Sequence, residues 1–405
     1  MRIHFFSYFY PPCIGGGEVI LAGQARELAR RGHHVEVFTT PYTNLNYTTQ
    51  GPSGSTLEQG VHVHRRRSFL LPFRNPLEKD AVTPAFWSDA WRPADLVVCV
   101  GYPSLHLDLL VPRCLVSGTP LVVQNYITAE FLAEILEGRG GIAKKLRAGY
   151  WRVWTGPQLR AASLVIADSP AATAALGASL GLSRVHTHIG MAVDPAELDT
   201  ISAADRGAAR QKLALDGPFV LAPSRISRQK GADLLLDVMT RGPAGSRLLD
   251  RARLVVAGPV NEPDFHAALL QRAKEWGDRV RIVSPSRPEL LALMAEAGAV
   301  VLPSRGETVG GVCFEAMYLG VPVVVSDAVE AAREDYLRDG RAGRLVAVED
   351  HAAWIEALHG ALAGDPERVA AGRRLVEERF TWRASVDRLL QLYRLAGLRG
   401  EPPAR

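Results

Sequence analysis

The chain has 405 residues, 47% apolar and 22% charged, with a formal net charge of +4. That length exceeds what one hydrophobic core ordinarily serves and predicts two domains, while the small charge excess gives no electrostatic argument for nucleic-acid binding. Four scattered cysteines without metal or redox spacing exclude a disulfide framework, and no run reaches eighteen apolar residues, so no transmembrane helix is predicted.

In chain order, "IHFFSYF" reads as a buried strand, "YPPCIGGGE" as a breaker-rich loop and "VILAGQARELARR" as a helix stopped by Gly32 before a second strand, "HVEVFTT". The opening "MRIHFFSYFYPP" lacks the long apolar core and cleavage site of a signal peptide, which predicts a cytoplasmic protein. "LVVCVGYPS", "PLVVQNY" and "SLVIADS" are further short apolar runs that end in polar or glycine-containing loops, the pattern of parallel strands covered on both faces. A helical region from about Ala129 to Ala162 lies between the last two. The polar, alanine-rich stretch "TISAADRGAARQKLALDG" reads as a linker.

A second α/β series follows: "PFVLAPS", "RLVVAGP", "VRIVSPS", "AVVLPS" and "PVVVSD", each with a helical pattern behind it. The boundaries predicted are 1–200 for a first Rossmann-like domain, 201–380 for a second, and 381–405 for an amphipathic helix that returns to the first domain and ends in a flexible tail. Two doubly wound halves imply a cleft between them, with ligand loops at the carboxyl ends of the strands.

Two stretches carry the chemistry. In "SRGETVGGVCFEAMYLGVP", Glu307 lies on a strand's exit loop, Gly310 and Gly311 allow close backbone approach, and Glu315 falls in the helix that follows. Amides at that helix start favour an anion, and the two carboxylates can accept hydrogen bonds from ligand hydroxyls. Taken alone, the pair fits equally well a helix-dipole partner and a solvated loop charge. In "APSRISRQKGADLLLDVM", Arg225 and Lys230 bracket a strand-to-helix turn, a fork and a point charge suited to a diphosphate; Arg228 and Gln229 between them fit a solvated face.

With both stretches in place, the sequence resembles the retaining glycosyltransferases of family four, which have the GT-B fold. "SRISRQKG" is similar to that family's GR-x-x-x-x-KG stretch, with Ser224 where glycine is usual. "ETVGGVCFE" is similar to its Glu-x7-Glu signature, "RDGRAGRLV" to its DG-x-x-G-x-LV, and "YPPCIGGGE" to its N-terminal glycine loop. The resemblance implies that Arg225 and Lys230 bind the donor diphosphate, Glu315 the ribose and Glu307 the donor sugar beside the amides of Val309, Gly310 and Gly311. It implies that Gly15, Gly16 and Gly17 close over the phosphates and that Ser284 and Pro285 meet the nucleotide base, UDP or GDP being the expected type. It also implies that no protein nucleophile is needed, the leaving phosphate taking the acceptor proton on the same face.

The departures fall elsewhere. The family's histidine at the end of "PLVVQNY" is replaced by Gln124, Asn125 and Tyr126, and its glycine pair after "VVVSD" by "AVEAARED". Asn125 and Tyr126, with Tyr102 and His106 of "GYPSLH", are the candidate acceptor or sugar contacts. "HRRRSFLLPFR" and "AKKLRAGYWRVW" mix cations with aromatics; they read as solvated charge beside an apolar face or as a peripheral contact with an anionic membrane. The expected function is metal-independent, retaining transfer of a sugar from a nucleotide-sugar to a small-molecule, glycan or lipid-linked acceptor, with no cofactor and no nucleic-acid partner. Two alternatives stand beside it: an epimerase of the same two-domain shape, and a non-catalytic sugar-nucleotide-binding subunit.

Overall fold

The computed structural model describes residues 1–13, 15–44, 47–71, 80–101, 104–138 and 141–397. Contacts divide the chain into two units: Met1–Met191 together with the segment from Trp382 onward, and Ala192–Thr381. The tail beyond 397 and Pro72–Arg74 of the first basic stretch lie outside the described residues.

The first unit contains β1 (Arg2–Ser7), β2 (His34–Thr39), β3 (Gly54–Glu58), β4 (Val61–Arg65), β5 (Phe69–Leu71), β6 (Asp80–Val82), β7 (Leu96–Val100), β8 (Leu121–Asn125), β9 (Leu164–Ala167) and β10 (Val185–Thr187). Eight of these make one sheet in the order β10-β9-β8-β7-β1-β2-β4-β3, parallel except for β3, while β5 and β6 pair separately. The central strands are buried along almost their whole length and mostly apolar, as in a parallel sheet covered on both faces; β3, almost wholly exposed, has no such run and left no apolar signal.

The first helix runs from Gly16 to Arg30, three residues earlier than the apolar pattern suggests. Gly16 and Gly17 therefore belong to its first turn, which tolerates them because its amides have no intrahelical partner. The terminal helix Trp382–Leu395 buries Val386, Leu389 and Tyr393 in the core of this unit. Its Trp382 ring fills the space over Gly23, where a Cβ would lie 2.2 Å from the indole.

Buried histidines make this unit acid-sensitive. Burial is the main reason His4 is lowered to about 4, despite Glu36 beside it at 3.3 Å, and His188 to about 3. Their unfolded counterparts protonate near 6.5, so below that pH the unfolded chain binds more protons than the native one. The stability is present above about pH 6.5 and is lost as pH falls towards 4, at roughly 2 kcal/mol per histidine between pH 7 and 5. Protection factors of the β1 and β9 amides, corrected for the intrinsic pH dependence of exchange, should fall over that range; protection equal at pH 7 and 5 would contradict it.

The second unit is an all-parallel sheet of β11 (Phe219–Pro223), β12 (Arg253–Ala257), β13 (Val280–Val283), β14 (Ala299–Leu302), β15 (Val323–Ser326) and β16 (Arg344–Val346), in the order β13-β12-β11-β14-β15-β16. The order reverses between β11 and β14, the topological position at which sheets of this kind bind ligands.

The stretch read as a linker is instead part of this unit. Ala203–Lys212 is a helix with a capping box: the Ser202 hydroxyl accepts from the Asp205 amide while the Asp205 carboxylate accepts from the Ser202 amide. Lys212 pairs with Glu289 at 2.5 Å on the helix Arg287–Glu296. Alanine and charge in alternation suit a linker and a strong helix former alike, and the cap decides between them.

Candidate active site

Lys230 and Glu307 meet at the β11/β14 reversal, and Arg225 lies on the loop that leaves β11. The chain leaves β11, makes a 3-10 turn over Arg228–Lys230 and enters the helix Ala232–Thr240 through Gly231, which is left-handed at φ 71°. A Cβ on Gly231 would lie 1.9 Å from the carbonyl oxygen of Pro303, so the two exit loops touch backbone to backbone there. That contact brings the buried Lys230 amine to 2.5 Å from a Glu307 carboxylate oxygen, to which the Ser304 hydroxyl also donates at 3.1 Å. Arg225 is half-buried, and among the described residues its guanidinium makes no hydrogen bond or ion pair.

The Glu307 loop is pinned from β15. The Glu307 amide donates to Ala328 and its carbonyl accepts from Glu330, while the Ala331 amide donates to Thr308. The residues that replace the expected glycine pair thus form a short parallel bridge, and Val329 packs 3.3 Å from where a Gly310 Cβ would sit. Gly310 itself is left-handed at φ 72°, and the Tyr336 hydroxyl donates to the Val309 carbonyl at 2.7 Å. The helix behind the loop, Val312–Tyr318, ends just before Gly320, as the sequence pattern predicts; at seven residues its dipole is weak.

Glu315 lies on that helix with its side chain 15% exposed. One carboxylate oxygen accepts from Arg287 at 2.7 Å; the other is buried and has no partner. Burial raises the carboxyl above its usual range, and Arg287 opposes the rise. Burial likewise pushes the Cys313 thiol up to about 12, which leaves it an inert packing group. Ser284 caps the β13 exit, its hydroxyl donating to Gly258 at 2.8 Å, with Pro285 half-buried next to it.

The first-unit candidates are less uniform. Gly15 caps the first helix, and a Cβ on Gly17 would lie 2.9 Å from the Tyr126 ring. Tyr126 packs against the core there and donates its hydroxyl to Gln124 at 2.9 Å, Gln124 in turn donating to Tyr393. Asn125 is buried, and its amide nitrogen has no partner. His106 is buried, its ring packed between Tyr8 and Phe86 with ring centroids 4.1 and 4.5 Å away. Tyr102 lies outside the described residues. Sequence reasoning missed Ser304, Tyr336 and above all Arg287, whose only signal was its place just after the flagged Ser284 and Pro285.

Comparison with known proteins gives the family. Residues 14–196 match the family model described as Glycosyltransferase Family 4, and residues 217–364 the model described as Glycosyl transferases group 1. A D-inositol 3-phosphate glycosyltransferase of Catenulispora acidiphila is 32% identical over 96% of this chain and 93% of its own length. The chain belongs to the family-four glycosyltransferases. A protein of the same name from Frankia alni is 30% identical over 94% and 95% of the two chains. Among solved structures, Anabaena HepE in complex with UDP (TM-score 0.70, 21% identity, 97% and 100% of the two chains) and a glycosyltransferase from Rickettsia africae (0.72, 14%, 98% and 99%) share the fold. This glycosyltransferase thus has the GT-B fold, and no described helix in it is long and apolar enough to cross a membrane.

Proposed function

We propose that this glycosyltransferase moves a sugar from a nucleoside-diphosphate donor to an acceptor hydroxyl with retention of anomeric configuration. The observation that carries the reading is the Lys230–Glu307 pair at the β11/β14 reversal, with the unpartnered Glu315 oxygen on the helix behind the same loop and Arg225, which has no partner among the described residues, on the β11 exit. A departing diphosphate gathers negative charge in the transition state, and preoriented cations stabilise it. Arg225 and Lys230 are assigned that charge without a metal ion, Glu307 the sugar hydroxyls and Glu315 the ribose. HepE was solved with UDP, which favours uridine as the base.

The test is incubation with UDP-, GDP- and ADP-sugars, each with D-inositol 3-phosphate (the acceptor in the relatives' name) and without acceptor. Slow donor hydrolysis alone and transfer with acceptor are expected, the new bond keeping the donor's anomeric configuration by NMR, and both surviving EDTA. Conversion of donor to an epimer would instead support the alternative enzyme, and binding without turnover the non-catalytic subunit. Activity lost in EDTA and restored by magnesium would overturn the charge assignment.

A lipid-linked acceptor is favoured by one feature of the first unit. From Gly138 to Ala167 the sequence has six Lys or Arg and no Asp or Glu. The helical stretch within it exposes Leu146 at 63%, Val153 at 76% and Trp154 at 51%, beside the exposed Lys145 and Arg152. Apolar side chains flanked by cations suit an anionic bilayer surface. Co-sedimentation with phosphatidylglycerol vesicles but not phosphatidylcholine vesicles is expected, lost in Leu146→Ser/Val153→Ser; no sedimentation with either leaves the water-soluble acceptor.

A further inference from the structure

Glu315 is an unusual buried carboxylate because its two oxygens are treated differently. The first accepts from the Arg287 guanidinium at 2.7 Å, while the second is shut from solvent with nothing donating to it. A buried acceptor left unsatisfied is destabilising, and a ligand supplying hydroxyl donors would remove that cost. Arg287 cannot swing freely onto that second oxygen. It is the first residue of the helix Arg287–Glu296, whose start is set by the Ser286/Glu289 capping box. Its fork is also held by Glu197, which accepts from Nε at 3.2 Å and, at 3.1 Å, from the same Nη2 that meets Glu315.

We infer that Arg287, braced by Glu197, is a positioning residue that locks Glu315 by one oxygen and presents the other, ionised, to the ribose hydroxyls of the donor. The inference rests on the proposed reading of Glu315 as the ribose ligand and adds what makes that ligand work. The charged groups acting on Glu315 are Arg287, which favours the carboxylate, and Glu197, which disfavours it; Cys313, earlier on the same helix, is a buried thiol. Without Arg287, burial and Glu197 remain, and both favour the protonated acid. A carboxylate accepts from two hydroxyls, whereas a carboxylic acid gives up one of those places. Arg287 therefore also sets the preference for ribose over deoxyribose.

The experiment measures affinity of the full chain for UDP, GDP and ADP and their 2′-deoxy forms by calorimetry between pH 6 and 8.5. Wild type is expected to prefer the ribo form of its base by about tenfold or more, with little change across that range. In Arg287→Met the ribo affinity should fall about tenfold at pH 6 and recover as pH rises, with 2′-deoxy affinity unchanged. Arg287→Lys should restore most of the loss, and with saturating donor kcat should stay within about twofold, since the ribose contact is similar in ground and transition states. An Arg287→Met protein with the wild-type ratio at every pH, or with both affinities lowered equally, overturns the inference. Glu315→Gln separates the two layers. If Glu315→Gln loses the ratio and Arg287→Met does not, the Arg287 role alone falls. If Glu315→Gln keeps the ratio, or no nucleotide binds at all, the ribose reading falls with it.

Discussion

Lys230→Ala and Arg225→Ala are each expected to lower kcat by at least about a hundredfold, the scale of losing one group that stabilises transition-state charge. The two should differ in what else they disturb. Arg225 has no partner among the described residues, so its removal should leave stability within about 0.5 kcal/mol of wild type. Lys230 lies 2.5 Å from Glu307, so its removal leaves that carboxylate with only the Ser304 hydroxyl and should also loosen the 304–311 loop. Steady-state kinetics with the donor found by the hydrolysis panel, beside thermal melts, checks both halves. Near-normal turnover in both variants would remove the two cations from the charge assignment.

Gly231→Ala should cost the second unit roughly 2–5 kcal/mol, combining a left-handed backbone at a residue with a Cβ and a steric clash with a neighbouring backbone. The added carbon would lie 1.9 Å from the Pro303 carbonyl oxygen, and backbone yields less readily than the end of a side chain. Relief requires the β11 and β14 exit loops to separate, which moves Lys230 away from Glu307. A fall in melting temperature of roughly 5–15 °C is therefore expected together with loss of turnover. A stable but inactive protein would mean that the loops part at little cost. An active one would mean that their contact does not set the site.

Arg225, Lys230, Glu307 and Glu315 could all be picked out from the sequence, because each stands at a fixed offset from an apolar run that could only be a buried strand. The same logic located β1, β2, β7, β8, β9 and β11 to β15. It failed for β3 and β4, where one strand is exposed and the other alternates histidine with valine, and for β10 and β16, which are three residues long. It failed at Ala203–Lys212 because a solvated helix and a linker share a composition, and only the reciprocal Ser202–Asp205 cap tells them apart.

Local pattern, then, determined that this chain has two parallel α/β series, which strands open onto loops with ligand chemistry, and which charged residues those loops display. Burial and spacing along one strand are short-range properties, written within ten or twenty residues. Tertiary structure decided everything that depends on which distant residues meet. Lys230 reaches Glu307 from 77 positions away because β11 and β14 lie side by side where the sheet order reverses. The Tyr126 hydroxyl is taken by Gln124, whose own amide is held by Tyr393 of the terminal helix. Glu315 has one oxygen engaged and one left without a donor because Arg287, starting the helix that follows β13, carries its guanidinium to a helix that follows β14. No spacing in the chain encodes that meeting; it exists only once the two exit loops have been brought to the same edge of one sheet.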